Sequence, residues 1–413
     1  MAVAEIAVRF PGLAVLRHPA FARFAICRFL VTLSWQMLAV AVGWQVYSLT
    51  HDPLALGLVG LSEFLPFLCL VIFGGHVADR ADRRDVLVIA WSIEALCISV
   101  LLWLALAEGR VVWPIYAVIA MFGSTRAFYA PAMQALVPTL VPREEFPRAV
   151  SVNSSLFQIA VISGPALGGV LYLLGPAVVY GVCLGLFVIA VLLTTSLGPH
   201  RAQAEQGEVP AARGHELLEG IRYVMHQRVV LGVISLDLFA VLFGGATALL
   251  PIYAAEVLHI GPVGLGILRT APGIGAAITA ALLTLRPINR HGGAVMFGGV
   301  AAFGVCTIVF GLSRSVPLSV AALLLLGSGD MLSVYVRGVL VQLNTPDHIR
   351  GRVSAINSMF IGGSNELGEF ESGVTARWFG AVPAVWLGGV MTLAVVGTWM
   401  LIFPQLRRLD RLR

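Results

Sequence analysis

Long apolar runs recur about twelve times along the 413 residues, each closed by a short polar or charged stretch. The expected spans are 21–47, 54–78, 85–107, 112–139, 148–173 and 177–197, then 229–255, 262–285, 292–312, 317–343, 351–375 and 381–403. Each is long enough, as a helix, to cross about 30 Å of hydrocarbon. Backbone polar groups in lipid must be satisfied within the segment, so helices are the form expected. The pattern therefore predicts an all-α integral membrane chain of about twelve transmembrane helices.

The longest polar connection, Gly198–Gln227, divides these runs into two sets of six. That gives an N-terminal bundle over 1–197, a linker over 198–228 and a C-terminal bundle over 229–413. Inside the linker, Leu217, Leu218, Ile221, Val224 and Met225 form one apolar stripe, which predicts a short amphipathic helix lying on the inner leaflet. The connections on the other side are too short to form an ectodomain.

The two halves also look alike. Arg148, Asn153 and Ser154 recur as Arg352, Asn357 and Ser358 at a shift of 204. The same shift places Gly164 on Gly368 and Gly169 on Gly373. Repeats of this kind, with a substrate site near the midplane, mark secondary transporters.

Composition sharpens the picture. The chain is 58% hydrophobic and only 12% charged, against about 25% charged in soluble domains. All 27 basic residues are arginine, with no lysine. A Walker A loop or a Schiff-base enzyme needs lysine, so ATP hydrolysis by this chain is not expected. The net charge of +5 does not point to nucleic acid, because twenty arginines fall on one side of the expected topology and only Arg110, Arg314 and Arg377 on the other. By the positive-inside rule both termini are expected in the cytoplasm. The start lacks the features of a cleavable signal peptide. The five cysteines all lie in apolar runs, so no disulfide or metal site is expected.

Charges inside the spans are expensive, at about 2.5–3.5 kcal/mol on the insertion scale, and normally face a cavity or a partner. They include Arg28, Glu63, Glu94, Arg126, Asp237, Arg269, Asp330, Arg337, Glu366 and Glu369. Aligning the halves sets Arg28 against Asp237, Glu63 against Arg269 and Arg126 against Asp330, with the sign reversed each time. Three roles stay open for them: gates between two bundles, static pairs, or contacts to substrate or proton. Glu366 and Glu369 share a helix face and suit reversible protonation or pairing with Arg126 or Arg337. If protons drive transport, Glu63, Asp237, Asp330, Glu366 and Glu369 are the candidate carriers. Trp35, Phe128, Tyr129, Phe239 and Tyr335 either line a cavity or pack against lipid.

The hairpin after the second span carries a further signal. Gly75-x-x-Ala78-Asp79-Arg80-x-x-Arg83-Arg84 resembles the signature loop between the second and third helices of the major facilitator superfamily. The resemblance implies a conformational latch, in which Asp79 holds the start of the eleventh helix and Arg80, Arg83 and Arg84 fill the basic positions. Asp82 stands where the family usually has a second glycine. Gly164-Pro165-x-x-Gly168-Gly169 is similar to the antiporter signature of exporters in that superfamily, with Ala160 in place of a further glycine. Ordinary glycine–proline helix packing explains the same residues. The stretch His18-Pro19-Ala20-Phe21 and Gly351-Arg352-Val353 extend the resemblance to the subgroup of enterobactin exporters and macrolide efflux permeases.

The combined expectation is a monomeric secondary transporter of a bacterial-type inner membrane. It would export a small organic compound, siderophore-like or a hydrophobic drug, in exchange for protons. Its partners are then the small-molecule substrate, a coupling ion and the lipid bilayer, with no cofactor, metal or nucleic acid. Uptake or facilitated diffusion on the same scaffold is the nearest alternative. A membrane-embedded enzyme lacks HExxH and GxSxG support, and a non-transporting sensor leaves the repeats and buried charges without a cycle.

Overall fold

The computed structural model describes residues 11–198, 213–288, 290–346 and 349–410. Twelve long helices account for the expected spans. In the first half they are α1 (Pro19–Thr50), α2 (Pro53–Arg80), α3 (Arg83–Leu106), α4 (Trp113–Leu136), α5 (Phe146–Leu171) and α6 (Pro176–Thr195). The linker supplies α7 (Arg213–His226). The second half follows with α8 (Arg228–Gly244), α9 (Gly261–Leu285), α10 (Gly292–Leu312), α11 (Val316–Leu343), α12 (Arg350–Phe379) and α13 (Ala381–Ile402). Ten of these segments are apolar enough to count as spans on composition alone. The other two, α4 and α12, have 24 and 30 residues, or about 36 and 45 Å at 1.5 Å per residue. They carry Arg126 and the Glu366, Glu369 and Glu371 group, which lower their apolarity rather than their reach.

One span differs from the expected single helix. The segment Arg228–Val257 breaks after Gly244 into a 3-10 turn (Ala246–Leu249), a short α-turn and a π-turn (Tyr253–Val257). The reason is local. Gly245 ends α8 with φ −66° and ψ 49°, and Pro251 lacks the N–H needed to continue the ladder. The Ser372 hydroxyl donates to the Gly245 carbonyl at 3.0 Å. That satisfies an acceptor which lipid could not.

The helices form two compact units. One takes Met1–His51, Ser62–Glu205 and Pro262–Thr270; the other takes Asp52–Leu61, Gln206–Gly261 and Ala271–Arg413. The start of α2 thus belongs with the second unit and the start of α9 with the first. Within the first unit α1 packs on α5 and α6, while α3 packs on α4 and α6. Within the second, α8 packs on α12 and α13, while α10 packs on α11 and α13. The repeat seen in sequence is thereby a repeat of packing.

Glycine sets the tightest of these contacts, as expected where helices gain nothing from leaving lipid for each other. Gly123 of α4 lies against the backbone of Glu63 in α2, and Gly327 of α11 lies against that of Pro272 in α9. The two glycines are 204 positions apart (327 − 123), the shift found between the halves. Gly164 of α5 faces the Leu33 carbonyl of α1, where a Cβ would stand 3.1 Å away; Gly368 of α12 faces that of Leu242 in α8, at 3.0 Å.

The amphipathic helix is present as α7 and packs in part against its own unit. Gly220 lets α7 close on α12, with a Cβ position 3.2 Å from the Cβ of Arg352. Val224 is buried with Val230, Ile234, Val341, Val353 and Ile356, and the Tyr223 hydroxyl donates to the Asn344 carbonyl. Ile221 and Met225 remain exposed at 41% and 60%. The expected stripe therefore serves two surroundings, protein on one side and open surface on the other. The side chains of Leu217 and Leu218 lie outside the described residues.

At the arginine-rich ends, arginines cap helix termini. Arg84 donates to the carbonyls of Thr194 (3.4 Å) and Thr195 (2.6 Å) at the end of α6. Arg83 reaches the Ala135 carbonyl of α4 at 2.7 Å. Cations suit helix C-termini, where the orphan carbonyls and the dipole are negative. Glu145 binds His18 at 3.0 Å and also pairs with Arg17. The His18 bond, aided by Arg17, holds the Glu145 carboxyl below its ordinary pKa of 4.5.

Two outcomes follow. Gly123→Val forces a side chain into the Glu63 backbone and should destabilise the protein by about 1–3 kcal/mol. Gly181→Ala, with open space around the position, should be neutral or slightly stabilising. Thermal unfolding in detergent distinguishes them, and equal melting temperatures would refute the packing account. For Glu145 the folded pKa is depressed, so its contribution is present above pH 4.5 and is lost as pH falls through the lowered value. Glu145→Gln should flatten the acid limb of a stability–pH curve and leave its neutral plateau shape unchanged.

Candidate functional site

The first unit holds a polar cluster built from three helices. Arg126 of α4 donates to Glu63 of α2 at 2.6 Å. The guanidinium also sits 5.0 Å over the Phe67 ring. One residue earlier on α4, the Thr125 hydroxyl donates to Glu94 of α3 at 2.7 Å. Glu94 is fully buried, with the Trp35 indole beside its carboxyl and no ion-pair partner among the described residues. Aromatic rings close the surroundings: Trp35 stands 5.0 Å from Phe122, and Trp91 stands 6.5 Å from Tyr129. The cluster exists because Gly123 lets α2 and α4 touch, bringing Glu63 within reach of Arg126 on the next turn.

The second unit holds a different pair. Arg337 of α11 and Asp237 of α8 form an ion pair, with side-chain exposures of only 4% and 7%. Asp330 on the same helix is half-buried and has no ion-pair partner among the described residues.

These partners replace the sign-reversed pairing expected from aligning the halves. Glu63 takes Arg126, and Asp237 takes Arg337. Arg28 lies with its guanidinium 5.4 Å over the Phe157 ring. Arg269, at the start of α9 and within the first unit, donates to the Ala39 carbonyl of α1 at 2.7 Å. The physical reason is cost. A charge held away from water takes the nearest compensating group in its own packed unit, and sequence alignment reports depth without reporting that neighbour.

The carboxylates of α12 meet the start of α2 inside the second unit. A Cβ on Gly60 would lie 2.9 Å from both the Glu366 carbonyl and a Glu369 carboxyl oxygen. One turn away Gly57 faces Gly373, its Cβ position 3.1 Å from the Gly373 Cα. Glu366 is buried at 7% exposure, whereas Glu371 points elsewhere and accepts from the Thr375 hydroxyl at 2.7 Å.

The expected antiporter-like motif has a counterpart seam in the first unit. Gly164 and Gly168 of α5 face Leu33, Gln36 and Met37 of α1. Gly169 instead faces the start of α9, its Cβ position 2.6 Å from the Pro262 carbonyl and 3.2 Å from the Gly266 Cα. Gly266 in turn faces the Pro165 carbonyl, and the Thr270 hydroxyl donates to that of Ile162 at 3.1 Å. Gly169 on Gly266 and Gly373 on Gly57 are therefore matching glycine seams, one per unit.

At the hairpin the close approach belongs to Gly74, which lies on the Ala127 backbone; Gly75 has open space around it. Asp82 takes the N-cap of α3, its carboxylate accepting from the Arg84 N–H at 3.0 Å. Arg80 is exposed, whereas Arg83 and Arg84 are held by the ends of α4 and α6. The side chain of Asp79 lies outside the described residues. Of the expected cavity aromatics, Trp35 and Tyr129 belong to the Glu94 surroundings. Phe239 stacks on Phe243 and touches Trp399, Tyr335 packs on the core between α8, α10, α11 and α13, and Phe128 is half-buried beside Gly74. Glu94 was the intramembrane acid given no role by sequence. Its signal was the Thr125-Arg126 step, which places a hydroxyl donor beside a cation. No cluster of metal-ligating residues occurs among the described residues.

Known proteins place this arrangement. The family model described as transmembrane secretion effector matches residues 11–412. The enterobactin exporter EntS of Citrobacter koseri is 27% identical over 405 residues, covering 95% of this chain and 93% of its own. The multidrug efflux pump Tap of Mycolicibacterium fortuitum is 26% identical, covering 90% and 92%. Among solved structures, a mutant form of the nucleoside transporter NupG superposes with a TM-score of 0.72 at 16% identity, over 93% of this chain and 100% of that one. A bacterial homologue of the lysosomal transporter Spinster gives 0.68 at 12%, over 95% and 96%. The last two show the fold alone. Twelve helices in two similarly packed sets, with a match spanning almost the whole chain, make the protein a member of the transmembrane secretion effector family of major facilitator transporters.

Proposed function

We propose that the protein exports a small organic compound across a bacterial inner membrane in exchange for protons, by alternating access. The observation that carries the reading is Glu94, a fully buried carboxyl held by the Thr125 hydroxyl and with no ion-pair partner among the described residues. An acid so placed is costly to leave ionised, and Arg126, one residue on from Thr125, is already paired with Glu63. Binding and releasing a proton there changes the charge of a packed helical unit. Export of a siderophore-like or hydrophobic compound is supported by two relatives named for enterobactin export and multidrug efflux. The arginine-rich ends and both termini are assigned to the cytoplasm on the positive-inside rule. The glycine seams at Gly57–Gly373 and Gly169–Gly266 are the surfaces along which helices would slide, since small residues leave no interdigitated side chains to unlock. Asp79 keeps its proposed role as a latch on the start of α12, on the strength of the signature loop.

Substrate counterflow in proteoliposomes, with and without an imposed pH gradient, tests the coupling. Native protein should accumulate substrate only with the gradient. Glu94→Gln should lose gradient-driven accumulation while keeping exchange. Gradient-insensitive accumulation by the native protein would remove the antiport reading.

The Asp237–Arg337 pair generates a separate expectation. Asp237→Asn leaves a buried guanidinium uncompensated and should cost about 3–5 kcal/mol. The double variant Asp237→Asn/Arg337→Gln should recover much of that loss. Additive losses in thermal unfolding would mean that the two residues do not act as a pair.

A further inference from the structure

An apolar groove of about 250 Å³ opens between α7, α8 and α12. Its walls include Ile221 and Met225 of α7, Leu231 and Leu238 of α8, and Ile356 and Phe360 of α12. The one hydroxyl on the wall, that of Ser235, is already spent: it donates to the Leu231 carbonyl at 2.5 Å and accepts from the Trp399 indole at 3.0 Å. Nothing inside the groove can fix a polar ligand. It is also smaller than the roughly 300–1,000 Å³ of ordinary small-molecule sites. What suits it is a flexible hydrocarbon chain.

The mouth is the opposite in character. Arg228 starts α8 on the face that continues through Leu231 and Ser235, three and seven residues on. It is exposed, as are Arg222 on α7 and Arg407 and Arg408 beyond α13. Phe403 and Leu406 pack against Gly232 of α8, which brings this last pair to the same end of the helix. Exposed Arg222 and Arg228 thus flank the junction of α7 and α8, and exposed Arg407 and Arg408 follow the segment that packs on α8 at Gly232. Arginine forks match phosphate oxygens, and basic clusters at the inner leaflet attract anionic lipid.

We propose that this groove is a binding site for an anionic phospholipid of the inner leaflet, with one acyl chain between α7, α8 and α12 and the headgroup phosphodiester on Arg222 and Arg228. The docked amphipathic helix makes the site. Gly220 sets α7 against α12, and Ile221 and Met225 then roof the slot. The leaflet assignment rests on the proposed cytoplasmic placement of the arginine-rich ends. The lipid contact itself does not, so the two fail separately.

The test uses the full chain in phosphatidylcholine nanodiscs carrying a diazirine on the acyl chain of either phosphatidylglycerol or phosphatidylcholine at equal fraction. Labelled peptides are then mapped by mass spectrometry. Phosphatidylglycerol should label the segment holding Ile356 and Phe360 in preference to phosphatidylcholine. Arg222→Gln and Arg228→Gln should each cut that preference about fivefold, the ratio equivalent to about 1 kcal/mol per arginine at a membrane surface. Met225→Trp, at a position 60% exposed and so compatible with folding, should block labelling while every arginine remains. Free glycerol phosphate should not compete. Equal labelling by the two lipids, labelling no stronger than at the exposed Leu192 or Leu401, or full labelling of Met225→Trp would each overturn the proposal.

Discussion

Helices in lipid have no water to escape from by touching each other, so the structure depends on how closely their backbones can approach. Glycine decides this. At Gly123 on Glu63 and its counterpart Gly327 on Pro272 a side chain would have to displace a backbone, and Gly164 on Leu33 and Gly368 on Leu242 are tight contacts of the same kind. The polar cluster of the first unit is positioned by one of these seams. Arg126 reaches Glu63 because α4 lies directly on α2, and Thr125 reaches Glu94 from the same turn.

Charge satisfaction follows from that packing. Both ion pairs join helices that are already neighbours, the half-buried Glu63–Arg126 across α2 and α4 and the buried Asp237–Arg337 across α8 and α11. Arg28 and Arg269 are accommodated differently, one by the face of an aromatic ring and the other by a carbonyl. Cation–ring contact is worth about 0.5–2 kcal/mol, a modest return that suits a residue not fully removed from solvent. The arginines at the helix ends do another job, closing the C-termini of α4 and α6.

The helices and their order were legible in the sequence because apolarity over some twenty residues is a strong signal, and the repeat was legible because its glycines and its Arg–Asn–Ser set keep one spacing. Three things were not. The break after Gly244 lies inside an apolar run, where glycine pairs also occur in unbroken helices. Gly74 and Gly75 are indistinguishable in sequence, yet one turn-fraction of rotation puts only Gly74 against α4. The charge partners were misassigned because alignment of the halves supplies depth along the membrane normal but not azimuth around each helix. Glu94 is hidden for a related reason: it has no sign-reversed partner in the other half, so the internal repeat does not mark it.

The absence of lysine acquires a meaning from the buried pairs that composition alone does not carry. A guanidinium keeps its proton under all ordinary conditions, so each pair can be switched from one side only, by the acid. When the negative charge of Asp237 is lost, Arg337 is left as a cation in a place where it costs about 3–5 kcal/mol. Inverting a two-state equilibrium from 1:99 to 99:1 requires about 5.5 kcal/mol. One or two such events are therefore comparable with the whole free-energy difference separating two conformations of a carrier, and the all-arginine chain holds half of that lever permanently charged.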